Sequence, residues 1–475
     1  MTAITPVIIG AGPAGLTAGY TLSKEGLSPL IIEQSPLLGG ISRTINYKGY
    51  YFDLGGHRFF TKYSEVEALW REILGDELLV RPRLSRIYYN KKFYNYPLKA
   101  TNALKNLGLR ESTRCMASYA MARLKERGDE KTFEEWVSNR FGSRLFNIFF
   151  KTYTEKVWGI PTDQIGADWA AQRIKNMELS TAVKGALLGP IKNLLPTDEE
   201  VVSSLIEEFL YPKTGPGLMY EVMAEKMIGL GGKLNREERV YRVEHDEKRV
   251  SKIHTKTESG DEFTYEGDHF LSTMPLTSLV LAMGAPEEVV DAANSLKYRH
   301  LLTIDLIIDH PDLFPDNWIY VHDQNLQLGR IQNFKNWSPA MVPDQSKTSL
   351  GLEYFCGDDD EIWKMSTADL VELGKKEIAE TGLLKGEVID GTAVWVPKAY
   401  PVYMHGYQTH LKKVTDWVRS FDNLHPMGRY GMFKYNNADH SSLTAMLTVE
   451  NILGRANHDV WTVNTDTDYH EIRKG

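Results

Sequence analysis

The sequence predicts an α/β fold, α+β overall, organised around a parallel sheet, and three observations carry that prediction. Residues Pro6 to Gly15, PVIIGAGPAG, form a short apolar run ending in glycines, and TAGYTLSKEG continues it with helical periodicity. A second apolar run, Pro29 to Ile32, closes on Glu33. Far downstream, a strand expected around Val240 and the segment HFLSTMP, His269 to Pro275, bring the chain back to the same kind of short strand. The elements of the sheet are therefore expected to be interleaved along the chain.

The chain has 475 residues, 42% hydrophobic and 25% charged, with a formal net charge of −8. This is the profile of a globular protein, and the mild acidity speaks against nucleic acid as a partner, because phosphate backbones need a basic face. Aromatics reach 11%, enough for ring-gripping walls as well as cores. The two cysteines, Cys115 and Cys356, are far apart in the sequence. They exclude a disulfide framework and a cysteine-ligated cluster. The histidines, including His405, His410, His425 and His440, show no metal-ligand spacing, so no metal is expected. The N-terminus lacks the basic region of a signal peptide, and no apolar run reaches about 18 residues. A cytoplasmic protein is expected, with no transmembrane segment; a peripheral membrane contact through an amphipathic helix stays compatible with the composition.

Each glycine of Gly10-x-Gly12-x-x-Gly15 has a steric task. Gly10 makes the tight turn, Gly12 lets backbone approach a pyrophosphate, and Gly15 lets the helix pack closely on the sheet. The helix N-terminus offers free N–H groups and a partial positive charge to the phosphates. Glu33 lies 23 residues after Gly10, where its carboxylate reaches ribose hydroxyls. Strand, glycine turn, helix, strand and terminal acid together make a Rossmann-type dinucleotide fingerprint.

The two segments after Glu33 point to FAD. SPLLGGISRT carries Gly39, Gly40 and Arg43, and YYFDLGGHRFF carries Gly55, Gly56 and His57. This arrangement resembles the FAD superfamily of amine oxidases, protoporphyrinogen oxidase and UDP-galactopyranose mutase. No second GxGxxG opens a later strand–helix unit, which reads against a two-dinucleotide reductase. In the superfamily, the strand matching Val240 places backbone on adenine, and His57 lies near the flavin as a neutral imidazole.

Within the superfamily the chain is similar to the mutases. Lys131 to Pro161 has helical spacing and reads as a buried helix, and its motifs resemble the mutase T-F-x-E-W helix and Y-x-x-K-V-W-x-x-P segment, placing Trp158 in the sugar pocket. The resemblance of Asp168 to Arg173 assigns a diphosphate-binding role to Arg173. It does the same for Tyr320 and Arg330, in NWIY followed ten residues on by arginine, for Tyr400 in KAYP, and for Tyr435 in GRYGMFKY. Gly428 and Arg429 begin the element that closes over the flavin, and the helix starting near Asp439 points its N-terminus at the flavin. Two arginines offer forked donors that match phosphate oxygens, and tyrosine hydroxyls add directional donors without charge.

The resemblance implies an FAD-binding unit from 1–70, 211–275 and 425–475, a helical insertion at 100–200, and an antiparallel-sheet substrate unit from 71–99 and 276–424. It implies an FAD-dependent mutase that interconverts pyranose and furanose forms of a nucleotide-diphospho-hexose through a sugar adduct at N5 of reduced flavin, with NADPH or NADH as the reductant. Arg173, Arg330 and His57 would carry the chemistry beside the cofactor. The alternative is an FAD-dependent oxidase or dehydrogenase of the amine oxidase or protoporphyrinogen oxidase type. Departures from the mutase pattern imply a changed substrate: Tyr96-Pro97 is retained in the base pocket, but Leu98 and Lys99 replace an aromatic and an amide, and Thr154 replaces an asparagine.

Overall fold

The structure, a computed structural model, describes residues 4–96, 100–124, 128–167 and 207–465. Its first sheet runs in the order Leu424–Pro426, His269–Ser272, Pro6–Ile9, Leu30–Ile32 and Lys233–Asn235, every neighbouring pair parallel. Parallel strands need cover on both faces. The alternation along the first strand divides that burial: Ile8 packs with Leu16, Met223 and Val449 under the helices Pro13–Lys24, Gly217–Gly229 and Ala438–Ile452. Val7 and Ile9 pack with Val243, Ile253 and Phe270 on the opposite face, under a three-stranded antiparallel ribbon. The fold class expected from sequence is thus observed, with strands contributed by both ends and the middle of the chain.

A second sheet has seven strands, ordered Val388–Pro401, Tyr298–Ile308, Thr348–Cys356, Arg330–Asn333, Trp318–Val321, Ser85–Tyr89 and Lys92–Asn95. It is antiparallel except where Trp318–Val321 pairs in parallel with Ser85–Tyr89. Such a pairing needs a long crossover, and here the whole stretch between residues 89 and 318 supplies it. One face packs Leu302, Ile304 and Tyr354 on the helix Thr367–Glu380. The other turns Leu301, Phe355, Val396 and Tyr400 toward the helical region.

The single helix expected over Lys131 to Pro161 is broken. Thr132 and Glu135 form a reciprocal capping box that starts Phe133–Phe141, the Thr132 hydroxyl accepting from the Glu135 amide at 3.2 Å. Gly142, at φ +82°, stops that helix in a conformation other residues resist. A π-helical turn, Phe146–Lys151, then leads into Thr152–Trp158. A π turn inserts extra backbone and rotates the next stretch of helix, so residues beyond it face directions that a uniform helical repeat does not give. Lys156 fixes the result by donating to the carbonyls of Val321, Asp323 and Leu328 at 2.9–3.0 Å.

Candidate functional site

Two cavities meet between the sheets. The first, about 740 Å³, is lined by Gly10, Gly12, Glu33, Gly40, Arg43 and Val240, and further on by Gly428 and Arg429. A Cβ built on Gly40 would lie 3.3 Å from the Gly12 Cα, so the two glycine turns face each other backbone to backbone. Their groove is free of side chains, which is what close approach of a pyrophosphate requires. Gly15 and Gly39 do not line the cleft; they shape it. A Cβ on Gly15 would overlap the Gly10 carbonyl, and Gly39, at φ +97°, donates its N–H to the Ala11 carbonyl at 2.9 Å.

Glu33 sits at the end of its strand with its carboxylate accepting from the Ala11 amide at 2.7 Å and the Ser35 amide at 2.8 Å. Burial pushes its pKa up, and those backbone donors oppose the shift. Arg43 donates to the Gly40 carbonyl at 3.1 Å. The first turn of Ala438–Ile452 brings Asn437, Ala438 and Ser441 to the same cleft, a helix N-terminus suited to a partial negative charge. Asp439 is buried there, its carboxyl pushed up to about 6 by burial.

The second cavity, about 430 Å³, brings together Gly56, His57, Tyr96, Trp158, Tyr320, Arg330, Tyr400 and Tyr435. The cavities share a wall that includes Ile41, Val396, Arg429, Asn436 and Asn437. Arg330 donates from Nε and Nη2 to one carboxylate oxygen of Glu353 at 3.0 and 2.5 Å, and Gln332 donates to the other oxygen at 2.6 Å. Tyr400 accepts from Arg330 at 3.5 Å and stacks on Tyr435 with ring centroids 5.8 Å apart. Trp158 lies 6.2 and 6.1 Å from those two rings. Arg429 spans the junction, its guanidinium 4.1 Å from the Tyr435 ring and donating to the Ala399 and Asn436 carbonyls at 3.0 and 3.2 Å.

His57 donates through Nε2 to the Leu54 carbonyl at 3.0 Å. Burial holds its pKa down at about 4, and the cations Arg429 and Arg330 push the same way, so the ring is neutral at pH 7. Further residues complete the site, among them Tyr153, the leading tyrosine of the Y-x-x-K-V-W-x-x-P segment. Tyr153 stacks on His322 with centroids 4.5 Å apart, and Glu353 sits beneath Arg330 with no exposed surface. Arg173, with Asp168 to Gln172 and with Leu98 and Lys99, lies outside the described residues. Among the described residues no three His, Cys, Asp or Glu side chains gather as metal ligands.

His322 gives a pH test. Its Nδ1 is buried with no hydrogen-bond partner among the described residues, and burial pushes its pKa down to about 3. The unfolded chain binds a proton near pH 6.5 that the folded chain refuses, so this contribution to stability is complete above pH 6.5 and is lost as pH falls toward 3. The stability difference between wild type and His322→Phe should therefore shift in favour of the variant by about 1.4 kcal/mol per pH unit below 6.5. Denaturant melts of the two proteins at neutral and acid pH check this; parallel profiles would remove His322 from the buried neutral state.

A side-chain-free groove at a Rossmann-type helix, sharing a wall with a second cavity, is the geometry of a dinucleotide-binding fold. The model of the flavin-containing amine oxidoreductases matches residues 13–410, and the chain belongs to that family, an FAD flavoprotein class. The structure of a reduced UDP-galactopyranose mutase superposes with a TM-score of 0.83 at 21% identity, covering 98% of this chain and 97% of that one. A probable UDP-galactopyranose mutase of Klebsiella pneumoniae is 26% identical over 171 residues, which span 34% of this chain and 42% of that protein. An L-amino-acid oxidase of Crotalus adamanteus is 32% identical over 111 residues, 20% of this chain and 21% of the oxidase. The chain thus matches less than half the length of these curated relatives. No helix among the described residues is long and apolar enough to cross a membrane.

Proposed function

We propose that the protein is an FAD-dependent mutase that interconverts pyranose and furanose forms of a nucleotide-diphospho-hexose. The observation that carries the reading is the convergence of Tyr320, Arg330, Tyr400 and Tyr435 on one cavity that shares a wall with the cofactor cleft. FAD fits the first cavity because the Gly12–Gly40 groove admits a pyrophosphate that any Cβ would obstruct. Gly10, Gly12 and Gly40 would hold the phosphates, Glu33 the ribose hydroxyls, the Val240 backbone the adenine, and Arg43, Arg429 and the helix at Asp439 the far end. Bound and reduced, FAD would supply an electron-rich centre for the reaction.

This chain's residues do the rest. Separating a sugar from a diphosphate builds negative charge on the leaving oxygen, and donors fixed in advance stabilise that charge without reorganisation. Arg330 is fixed by Glu353, which is itself held by Gln332, and it keeps the Tyr400 hydroxyl within reach. The Tyr320 and Tyr400 hydroxyls stay protonated, since burial raises their pKa. Neutral His57 presents no competing charge to the flavin face. We extend the diphosphate role to Arg173 from the resemblance alone. NADPH or NADH as the reductant belongs to the same reading.

Titration of FAD-loaded protein with UDP, followed by flavin fluorescence, tests the reading. Saturable quenching by UDP and UDP-galactose, competitive between them, is expected. Absence of any response to nucleotide diphosphates, together with bleaching of oxidised flavin by an amine or L-amino acid, would favour the oxidase reading that the Crotalus relative suggests.

A further inference from the structure

The helix Leu109–Leu124 is amphipathic the wrong way round for a helix in a protein core. It buries Ser112, Cys115 and Ser118, and Ser118 Oγ accepts the Arg144 amide at 3.1 Å. Its apolar residues face outward: Leu109 is 84% exposed, Met121 65% and Leu124 87%, with Met116 and Ala120 exposed between them. By contrast, the helix Ser64–Leu74 buries Val66, Leu69, Trp70, Ile73 and Leu74. A sixteen-residue helix is about 24 Å long, so Leu109 and Leu124 mark the two ends of an exposed face that carries Met116 and Ala120, with Thr113 among them. Nothing among the described residues covers it.

The charges beside the stripe indicate its partner. Arg110 and Arg114 flank Met121 on one side of this face and Arg123 lies on the other, all exposed. The one acid of the helix, Glu111, is engaged by Arg144 and lies 3.8 Å from Arg114, so it does not offset the remaining cations. Neither Arg110 nor Arg123 forms an ion pair among the described residues. A second copy docking face to face would bring arginine edges against arginine edges. An apolar stripe rimmed by arginines is complementary instead to a surface that is apolar inside and anionic at its rim. We infer that the helix Leu109–Leu124 is a docking surface for an anionic phospholipid bilayer, lying in the headgroup plane with Leu109, Met116, Met121 and Leu124 inserted. The inference is independent of the substrate reading. Because the whole chain carries −8, attraction is confined to this face, and binding is salt-sensitive.

The test is co-sedimentation of the FAD-loaded full chain with vesicles of phosphatidylglycerol and phosphatidylcholine in equal parts, and with phosphatidylcholine alone. Binding to the anionic vesicles about tenfold or more above the neutral ones is expected, lost at high salt. Met121→Glu/Leu124→Glu and Arg110→Glu/Arg123→Glu should each lower it about tenfold while flavin content and melting temperature stay at wild-type values. No binding to anionic vesicles, equal binding to neutral ones, or binding that both double variants retain would overturn the inference. So would a dimer, seen by light scattering, that Met121→Glu/Leu124→Glu dissociates, because the face would then belong to a second copy. A drop in melting temperature in that variant would overturn it as well, since the stripe would then be covered by the chain itself.

Discussion

Replacing Arg330 with alanine is expected to abolish nucleotide-diphosphate binding while FAD stays bound. The guanidinium is a part-buried cation lining the second cavity, and removing one partner from a buried, charge-assisted contact costs about 2–5 kcal/mol, or about thirty-fold to a few thousand-fold in affinity. The substitution has a second effect that must be separated from the first. Glu353, with no exposed surface, would lose its ion partner, and an uncompensated buried carboxylate costs about 3–5 kcal/mol of stability. Pairing Arg330→Met with Glu353→Gln removes both charges and should restore stability without restoring binding. Fluorescence titration with UDP and a thermal melt on both variants measure the two effects apart. An unchanged affinity in either variant would take Arg330 out of the site.

The glycine loops carry the other large effect, and the positions differ in kind. Gly12 has φ −82°, and a Cβ there lies 3.8 Å from Gly40, ordinary contact for the protein itself. Gly12→Ala should therefore fold normally and lose FAD, because the methyl group occupies the approach to the pyrophosphate; affinity about a hundredfold lower or worse is expected. At Gly15 the added Cβ would overlap the Gly10 carbonyl and force the helix off the sheet. Gly15→Ala should lose both fold and flavin. Flavin absorbance per protein together with far-ultraviolet circular dichroism distinguishes the cases, and a Gly12→Ala protein that keeps full flavin would contradict the placement of the cofactor.

The parts of this molecule legible in the sequence are those whose physics is local. Gly10, Gly12 and Gly15 announce a turn, an approach and a close packing within six residues, and Glu33 comes at the distance one helix and one strand consume. Tyr320, Arg330, Tyr400 and Tyr435 are legible only through resemblance, and the fold gathers them in one cavity although they are spread over more than a hundred residues. Glu353 is invisible in the sequence because its role depends on strand register: it faces Arg330 only through the pairing of Arg330–Asn333 with Thr348–Cys356. Tyr153 opens the Y-x-x-K-V-W-x-x-P segment and, like Trp158, is legible only through that resemblance. The break in the helix across Lys131 to Pro161 is not legible, because the π turn leaves no compositional mark. His322 lies two residues past Tyr320 and lines the same cavity, stacked on Tyr153.

The most direct measurement is turnover by dithionite-reduced, FAD-loaded protein under anaerobic conditions with UDP-galactopyranose and related nucleotide sugars, monitored by nuclear magnetic resonance of the anomeric protons. A mutase is expected to form furanose product in many-fold excess over flavin, with the flavin still reduced at the end. No furanose product from any nucleotide sugar, with oxidised flavin bleached stoichiometrically by an amine or amino-acid donor, would contradict the mutase reading and assign the second cavity to an oxidase.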